Sequence, residues 1–186
     1  MAESLVVYTI GHSNHSPNRF LDLLRCHQIQ AVVDVRSVPF SRFAPHFNGP
    51  ELQLLLEQRG IQYVFAGEVL GGRPSDPMYY KTGAIPEGKA DYLSIVDYST
   101  IAQQPWYQRG VQRLVDIAAT RATAIMCSEE NPLRCHRHHH LESSLRDRDA
   151  NVVHIRRDGT LEMISSEETE PAAVQSPQLT LAGFDE

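Results

Sequence analysis

The chain of 186 residues lacks the features that mark several specialised classes of protein. It has only three cysteines, an odd number that argues against a disulfide framework and for a reducing compartment. It has no apolar run near the roughly 18 residues that a membrane span needs. Its first residues are acidic and lack the basic segment of a signal peptide. We therefore expect a soluble, cytoplasmic protein with no membrane partner.

Lysine is scarce, and arginine carries nearly all of the positive charge. Only two of the 17 basic residues are lysine, Lys81 and Lys89. Arginine binds carboxylate or phosphate in a bidentate manner, although a GC-rich genome would explain the bias equally well. The formal net charge of −6 excludes a protein whose whole surface coats nucleic acid. Because the negative excess lies in residues 157–186, a local pocket for an anionic ligand remains compatible with the composition.

Short apolar runs alternate with helical patterns along most of the chain. Runs typical of buried strands occupy residues 5–10, 31–35, 61–65, 124–127 and 152–155. Helices are predicted between them, the last over about 134–148, and a short hairpin strand over 161–164. This alternation predicts a three-layer α/β fold, Rossmann-like, with a mostly parallel sheet of about five strands. We expect a single domain over residues 1–164 and an acidic, flexible tail over 165–186.

Ionisable side chains follow three of the predicted strands. In open α/β sheets, ligands bind beyond the carboxyl ends of the strands. The first strand leads into His12 and Ser13, the second carries Asp34 and Arg36, and the fourth leads into the segment 128–137. A glycine-rich loop over residues 67–90 would cover this edge, and Gly71 and Gly72 would allow close approach of the backbone to a ligand. The sequence therefore predicts one site at this edge.

The cysteines of the last segment suggest two kinds of chemistry. Cys135 lies beside Arg134, His136 and Arg137, near the predicted start of a helix, where its thiolate would be favoured. Six residues separate Cys127 from Arg134, one more than in the phosphatase loop, so that motif is excluded. Cys135 is thus predicted to be a nucleophile or a ligand.

Metal binding is the second interpretation of this segment, and it uses Cys127, Cys135 and His136. The tight cysteine pair of structural zinc sites is missing, so we predict no resident metal and identify no cofactor from the sequence. His138 and His139 are interpreted as a solvated helix face.

Acid–base chemistry is the third interpretation. His12, Glu129 and His136 are suited to proton transfer near neutral pH. Asp34 and Arg36 lie two residues apart on an extended segment and share one face of it, so they form either part of a binding site or a structural ion pair. Tyr79, Tyr80, Trp106 and Tyr107 are interpreted as packing residues, with base stacking as the alternative.

Several blocks of the sequence occur together in one order. They are TIGHS at 9–13, DVRSVPFS at 34–41, LGG at 70–72, MCSE at 126–129 and RCHR at 134–137. This set resembles the signature of the domain of unknown function 488 (DUF488) family, over most of the chain up to about residue 155. Val69 stands where the family pattern has an aromatic residue ahead of the paired glycines. The resemblance implies that the following residues form one site: His12, Ser13, Asp34, Arg36, Ser41, Glu129, Cys135, His136 and Arg137.

Together these features predict an enzyme, a hydrolase or a transferase, that acts on a phosphate-bearing ligand such as a nucleotide or the end of a nucleic acid. Arg36, Arg134 and Arg137 would hold the anion. Two alternatives stay open: a non-catalytic binder of nucleotides or nucleic acid, and a metal-binding protein. The sequence indicates no oligomeric state.

Overall fold

A computed structural model describes residues 4–165 of the chain. Six strands form one sheet: β1 (Leu5–Gly11), β2 (Ala31–Asp34), β3 (Gln62–Phe65), β4 (Thr123–Cys127), β5 (Ala150–Ile155) and β6 (Leu161–Glu162). The first five strands pair in parallel, and β6 pairs antiparallel to β5 as the predicted hairpin strand. The predicted tail lies, from residue 166 onward, outside the described residues.

The strand order is β3-β2-β4-β1-β5-β6. It differs from the classic dinucleotide-binding order, 3-2-1-4-5-6, by exchange of the two central strands. From β1 the chain crosses toward the β3 edge, and from β4 it crosses toward the β5 edge. Because these neighbouring strands lead in opposite directions, their carboxyl ends form the topological switch point, where α/β proteins bind ligands.

Helices cover both faces of the sheet and make the fold three-layered. They are α1 (Pro17–Cys26), α2 (Gly49–Glu57), α3 (Gly67–Leu70), α4 (Tyr92–Ile95), α5 (Tyr98–Ala102), α6 (Pro105–Ala118) and α7 (Ser143–Arg146). Helix α1 begins as its sequence predicts, with the Ser16 hydroxyl accepting a hydrogen bond from the Arg19 N–H and Pro17 in the first turn.

Successive strand residues point to opposite faces, and each face has its own core. Val32 packs with Phe20 of α1 and Leu56 of α2 on one face. Val33 packs with Val111 of α6 on the other. Because both faces are covered, β2 is buried along its whole length, as expected of a strand in a parallel sheet.

Residues 134–148 do not form the continuous α-helix that the sequence predicts. A 3₁₀ turn occupies Pro132–Arg134, Cys135 is extended, a π-helical segment runs over Arg137–Glu142, and α7 follows. Such π-helical insertions occur frequently at functional sites.

The glycine-rich segment 67–90 is likewise not loop throughout, since it holds α3 and a 3₁₀ turn over Pro77–Tyr79. Among residues 4–165, no helix is long and apolar enough to cross a membrane.

Candidate functional site

A cavity of about 1260 Å³ lies at the carboxyl ends of β2 and β4. Half of the predicted site residues line it: Arg36, Gly72, Glu129, Arg134, Cys135 and His136. Cys127, the last residue of β4, lines it as well. The segment 72–99 supplies much of the remaining wall, so residues distant in the sequence meet at the edge that the strand-end rule predicts.

Cys127, Cys135 and His136 form what we call the Cys–His centre of this cavity. The Nδ1 atom of His136 lies 3.9 Å from the Cys127 sulfur and 3.8 Å from the Cys135 sulfur. The two sulfurs and this nitrogen all lie within 4.8 Å of one another. Each of these residues is buried, with at most 8% of its surface exposed. Two soft ligands and an imidazole thus converge on one point.

The His136 ring has a fixed orientation. Its Nε2 atom lies 3.1 Å from the carbonyl oxygen of Leu70. Because a carbonyl oxygen only accepts, Nε2 carries the hydrogen and Nδ1 presents its lone pair to the two sulfurs. Gly72 packs against this ring, where a Cβ atom would lie 2.7 Å from the ring atoms. The LGG motif therefore supplies both the hydrogen-bond acceptor and the space that hold the imidazole.

Arg137 lies behind Cys135 and not in the wall of the cavity. Only 1% of it is exposed, and its Nε atom donates to the Cys135 sulfur at 3.2 Å. Its Nη2 atom donates to the carbonyl oxygen of Glu129 at 2.5 Å, and its Nη1 atom donates to the Thr9 hydroxyl at 3.4 Å. The guanidinium thus ties the Cys–His centre to the loop after β4 and to β1.

The pKa values of the two thiols are shifted in opposite directions. Burial by itself would raise the pKa of Cys135, but the hydrogen bond from Cys127 and the charge of Arg137 hold that pKa well below its ordinary value. The hydrogen bond to Cys135, together with burial, raises the pKa of Cys127 well above its ordinary value. Cys135 is consequently the thiolate of the pair and Cys127 the thiol.

Asp34, Arg36, Tyr63 and His12 form a second polar group beside the cavity. Arg36 donates to both carboxylate oxygens of Asp34, through Nε at 2.9 Å and Nη2 at 2.6 Å. The Tyr63 hydroxyl donates to the same carboxylate at 2.9 Å. Asp34 thereby neutralises the Arg36 guanidinium, which reaches the cavity wall, and this makes the pair a structural element of the site.

His12 reaches the cavity only through Arg36. Its ring stacks on Phe47 at 4.5 Å, and its Nδ1 atom donates to the Ser13 carbonyl at 2.9 Å. The Nε2 atom therefore accepts from Arg36 Nη1 at 3.3 Å. Burial and the Arg36 charge lower the pKa of His12 to about 4, so the imidazole is neutral at pH 7.

The remaining predicted residues, Ser13, Ser41 and Gly71, do not line the cavity. The Ser41 hydroxyl accepts from the Ala44 N–H at 3.1 Å and shapes the loop after β2. Ser13 has a left-handed backbone, with φ of 45°, and its N–H donates to the Ser128 carbonyl at 2.9 Å. Both residues organise the backbone next to the site.

Several residues that the sequence prediction left out of the site line the cavity. Arg73 lies over the Tyr92 ring at 4.4 Å, and the Tyr98 hydroxyl donates to the Gly72 carbonyl at 2.8 Å. Lys81 also contributes to the wall. No spacing rule identifies these positions; for Arg73 and Lys81 the available signal is the length and glycine content of the segment 67–90, and Tyr98 lies beyond that segment.

Two interpretations of side chains are settled by burial. The rings of Tyr79 and Tyr107 belong to the core, so they are packing residues and not stacking platforms. His138 is buried, contrary to the prediction of a solvated face, while His139 is exposed as predicted. The π-helical turn directs His138 inward, and its Nδ1 atom lies 2.6 Å from Oε2 of the buried Glu142.

Comparison with known proteins gives one match. The model of a family described as "Domain of unknown function DUF488" matches residues 16–142, about two thirds of the chain. The matched region includes β2, the cavity segment 72–99 and the whole Cys–His centre. No curated protein and no solved structure matches the chain.

Proposed function

The chain belongs to the DUF488 family, and from its site we propose an enzyme that acts on a phosphate-bearing ligand, a nucleotide or the end of a nucleic acid. The observation that carries this proposal is the position of the Cys–His centre, at the floor of a large cavity at the carboxyl ends of β2 and β4, beside the switch point of the sheet. Enzymes of this architecture place their reacting groups there. The reduced thiols fit a reaction in the cytoplasm.

Two cationic side chains flank the centre and are suited to hold the phosphate. Arg134 immediately precedes Cys135, and Arg73 follows the Gly72 that packs on His136. Both side chains are exposed and line the cavity. Of the acids in the wall, Asp97 uses its carboxylate to accept hydrogen bonds from Ser99 and Thr100 at the start of α5. The wall also holds the carboxylates of Asp91 and Glu129, so the phosphate would be bound by Arg73 and Arg134 themselves and not by a net positive charge of the wall.

Apolar side chains at the cavity mouth favour a nucleotide over a bare anion. Val38 and Phe40 line the cavity and are 66% and 67% exposed. Phe43 is 93% exposed in the same loop. Exposed aromatic rings stack on bases with little dependence on sequence, each contributing about 1–3 kcal/mol. A base at this loop would leave its phosphate inside the cavity that Arg73 and Arg134 line.

The roles follow from what transfer of a phosphoryl group requires. Arg73 and Arg134 neutralise the charge on the phosphoryl oxygens. Glu129, exposed in the cavity wall, gives a proton to the leaving oxygen. The Cys–His centre faces the phosphorus and supplies or positions the nucleophile, a water in a hydrolase or a second substrate in a transferase.

Binding is tested with a panel of inorganic phosphate, nucleotides and 5′-phosphorylated single-stranded oligonucleotides. We expect at least one member to raise the melting temperature of the protein, and Arg134→Gln to remove that shift. Arg59→Gln, an exposed arginine outside the cavity, is the matched control and keeps the shift. Phe40→Ala weakens binding of nucleotides but not of phosphate. A panel without any shift, or a shift that Arg134→Gln leaves intact, contradicts the proposal.

Turnover separates the enzyme from a non-catalytic binder, the second candidate that the exposed Phe40 and Phe43 support. Phosphorus NMR of the bound ligand follows product formation in the wild type and in Glu129→Gln. An enzyme forms product that the variant loses. A binder gives no product, and its affinity for oligonucleotides falls steeply with salt.

A further inference from the structure

We propose that the Cys–His centre binds one zinc ion through the sulfurs of Cys127 and Cys135 and the Nδ1 atom of His136. The inference deepens the proposed function, since it makes the floor of that cavity a metal centre. It rests on three independent features of the described residues: the spacing of the three donor atoms, the orientation of the imidazole and the opening toward the cavity.

The spacing of the donor atoms fits a tetrahedral ion. Zinc bonds sulfur at about 2.3 Å and imidazole nitrogen at about 2.0–2.1 Å, so the edges of a regular tetrahedron are about 3.6 Å between nitrogen and sulfur. The two observed edges are 3.8 and 3.9 Å. All three donor atoms lie within 4.8 Å of one another. The three donors therefore stand close to the separations that a tetrahedral zinc ion requires.

The orientation of His136 is that of a metal ligand. Its Nε2 hydrogen bonds the Leu70 carbonyl at 3.1 Å and leaves the lone pair of Nδ1 directed at the two sulfurs. Metal-binding histidines almost always donate their second nitrogen to a carbonyl or carboxylate in this manner. The close packing of Gly72 keeps the ring in that position.

Arg137 completes the surroundings of the ion. Its Nε–H donates to the Cys135 sulfur at 3.2 Å, and donors of this kind stabilise a thiolate ligand. Zinc would displace the proton of the Cys127 thiol, and the two thiolates and the divalent cation are then neutral together, whereas two buried thiolates alone would repel each other. Burial of both sulfurs is thus consistent with an ion between them.

The fourth position of the tetrahedron faces the cavity. All three ligands line that cavity, beside Arg134 and Glu129. Structural zinc sites close their coordination with a fourth protein ligand, whereas catalytic sites have three and leave the last position to water or substrate. Among the described residues, the group of possible ligands here has three members.

Zinc at this position would supply the nucleophile of the proposed reaction. Zinc lowers the pKa of bound water to about 7. The oxygen of that water would form a bond to phosphorus as the bond from phosphorus to the leaving oxygen breaks. The proton released by the water would pass to Glu129 and then to the leaving oxygen, so no oxidant or co-reactant is required. Cys127 and Cys135 remain ligands throughout.

The test measures zinc in the full chain purified without an affinity tag. We expect about one equivalent of zinc in the wild type, and less than about 0.1 equivalents in Cys127→Ser, Cys135→Ser and His136→Asn. Cys26→Ser is the matched control, since Cys26 is an exposed free thiol outside the cavity, and it keeps its zinc. His139→Gln, in the same histidine run but not a ligand, also keeps it.

A second measurement covers the case in which a ligand variant fails to fold. Cobalt(II) added to the zinc-depleted wild type should give the ligand-field bands of a tetrahedral ion and a sulfur-to-metal charge-transfer band in the near ultraviolet. Absence of zinc before and after incubation with zinc, or a cobalt spectrum without thiolate bands, overturns the metal site. Zinc without ligand binding rejects the proposed function alone, and ligand binding without zinc rejects the metal site alone.

Discussion

Two clusters of ionisable side chains come from the same stretch of chain, and they stabilise buried charge in different ways. In the Cys–His centre, the donor atoms stand 3.8 and 3.9 Å apart and face an open cavity. In the second, which we call the His–Glu cluster, His138, Glu142 and His154 are all buried, and Nδ1 of His138 lies 2.6 Å from Oε2 of Glu142. The first spacing is close to the edges of a zinc tetrahedron, whereas the second is that of a completed hydrogen bond.

The His–Glu cluster neutralises itself with protein groups alone. Arg146 donates to the other oxygen of Glu142 at 2.5 Å. His154 Nε2 lies 3.3 Å from Oε2, at ion-pair distance, and His154 Nδ1 lies 2.7 Å from the Thr9 hydroxyl. The comparison teaches that two triads of metal-binding residue types differ in function according to whether their donor atoms already have charged protein partners.

Glu142→Gln should give the largest loss of stability, and it should disrupt only the His–Glu cluster. It removes the charge that His138 and Arg146 share, and loss of one partner of a buried ion pair costs about 3–5 kcal/mol. Urea unfolding should show a loss of that order, with zinc content unchanged. Glu57→Gln, an exposed glutamate on α2, should change stability by less than about 0.5 kcal/mol. Loss of zinc in Glu142→Gln would refute the separation of the two clusters.

The unfolding free energies of the wild type and of Glu142→Gln should become more similar at low pH. Burial by itself would raise the pKa of Glu142, but the imidazoles of His138 and His154 lower it to about 2, below its ordinary value. The stability from this carboxylate is therefore present above the ordinary pKa of glutamate and is lost as the pH falls toward 2. Unfolding free energies of wild type and Glu142→Gln should approach each other over that range. A difference that stays constant between pH 5 and pH 2.5 would contradict the assignment.

Arg137→Gln should affect both clusters, because the guanidinium contacts the Cys135 sulfur and the Thr9 hydroxyl, which in turn contacts His154. Zinc affinity, measured by competition with a chelator, should fall by about 10–100-fold, the usual cost of removing a group that supports a metal ligand. Arg113→Gln, an exposed arginine on α6, should leave the affinity unchanged. An unchanged affinity in Arg137→Gln would show that Arg137 serves stability only.

Gly72→Ala should give the smallest of these effects and should be confined to the Cys–His centre. The added methyl group would lie 2.7 Å from the His136 ring and displace it, so we expect a loss of about tenfold in zinc affinity. At Gly83 a methyl group meets nothing within 4 Å, but φ is +69°. Gly83→Ala should therefore cost about 1 kcal/mol of stability and leave zinc affinity intact. Equal affinities in the two variants would remove Gly72 from the site.

The layered fold and its sheet edge were predictable from local pattern. The predicted strand over 31–35 corresponds to β2, and the run over 124–127 corresponds to β4, within one residue at each end. Buried parallel strands are short apolar runs that need no knowledge of their neighbours. Because parallel strands end at one edge, His12, Arg36 and Cys135 are expected close together; Arg36 and Cys135 line one cavity, whereas His12 lies outside its wall and contacts Arg36.

The interior of the site was less predictable, because it depends on contacts between distant residues. The π-helical turn over Arg137–Glu142 changes which histidines point inward, and a helical wheel with ordinary periodicity misplaces His138. Arg137 was expected among the ligand-binding residues, yet its donors are used by the Cys135 sulfur and by backbone carbonyls. No pattern within a single segment contains that information.

The sequence by itself determined the alternation of strands and helices, the edge at which ionisable groups gather, and membership of a family through separate motif blocks. Only the tertiary structure decided that β4 inserts between β2 and β1, which brings Cys127 beside the Asp34–Arg36 pair. It also decided that the Leu70 carbonyl fixes the His136 tautomer across 66 positions of chain. The physical reason is that hydrophobic periodicity is a local property, whereas the direction of a lone pair depends on its hydrogen-bond partner.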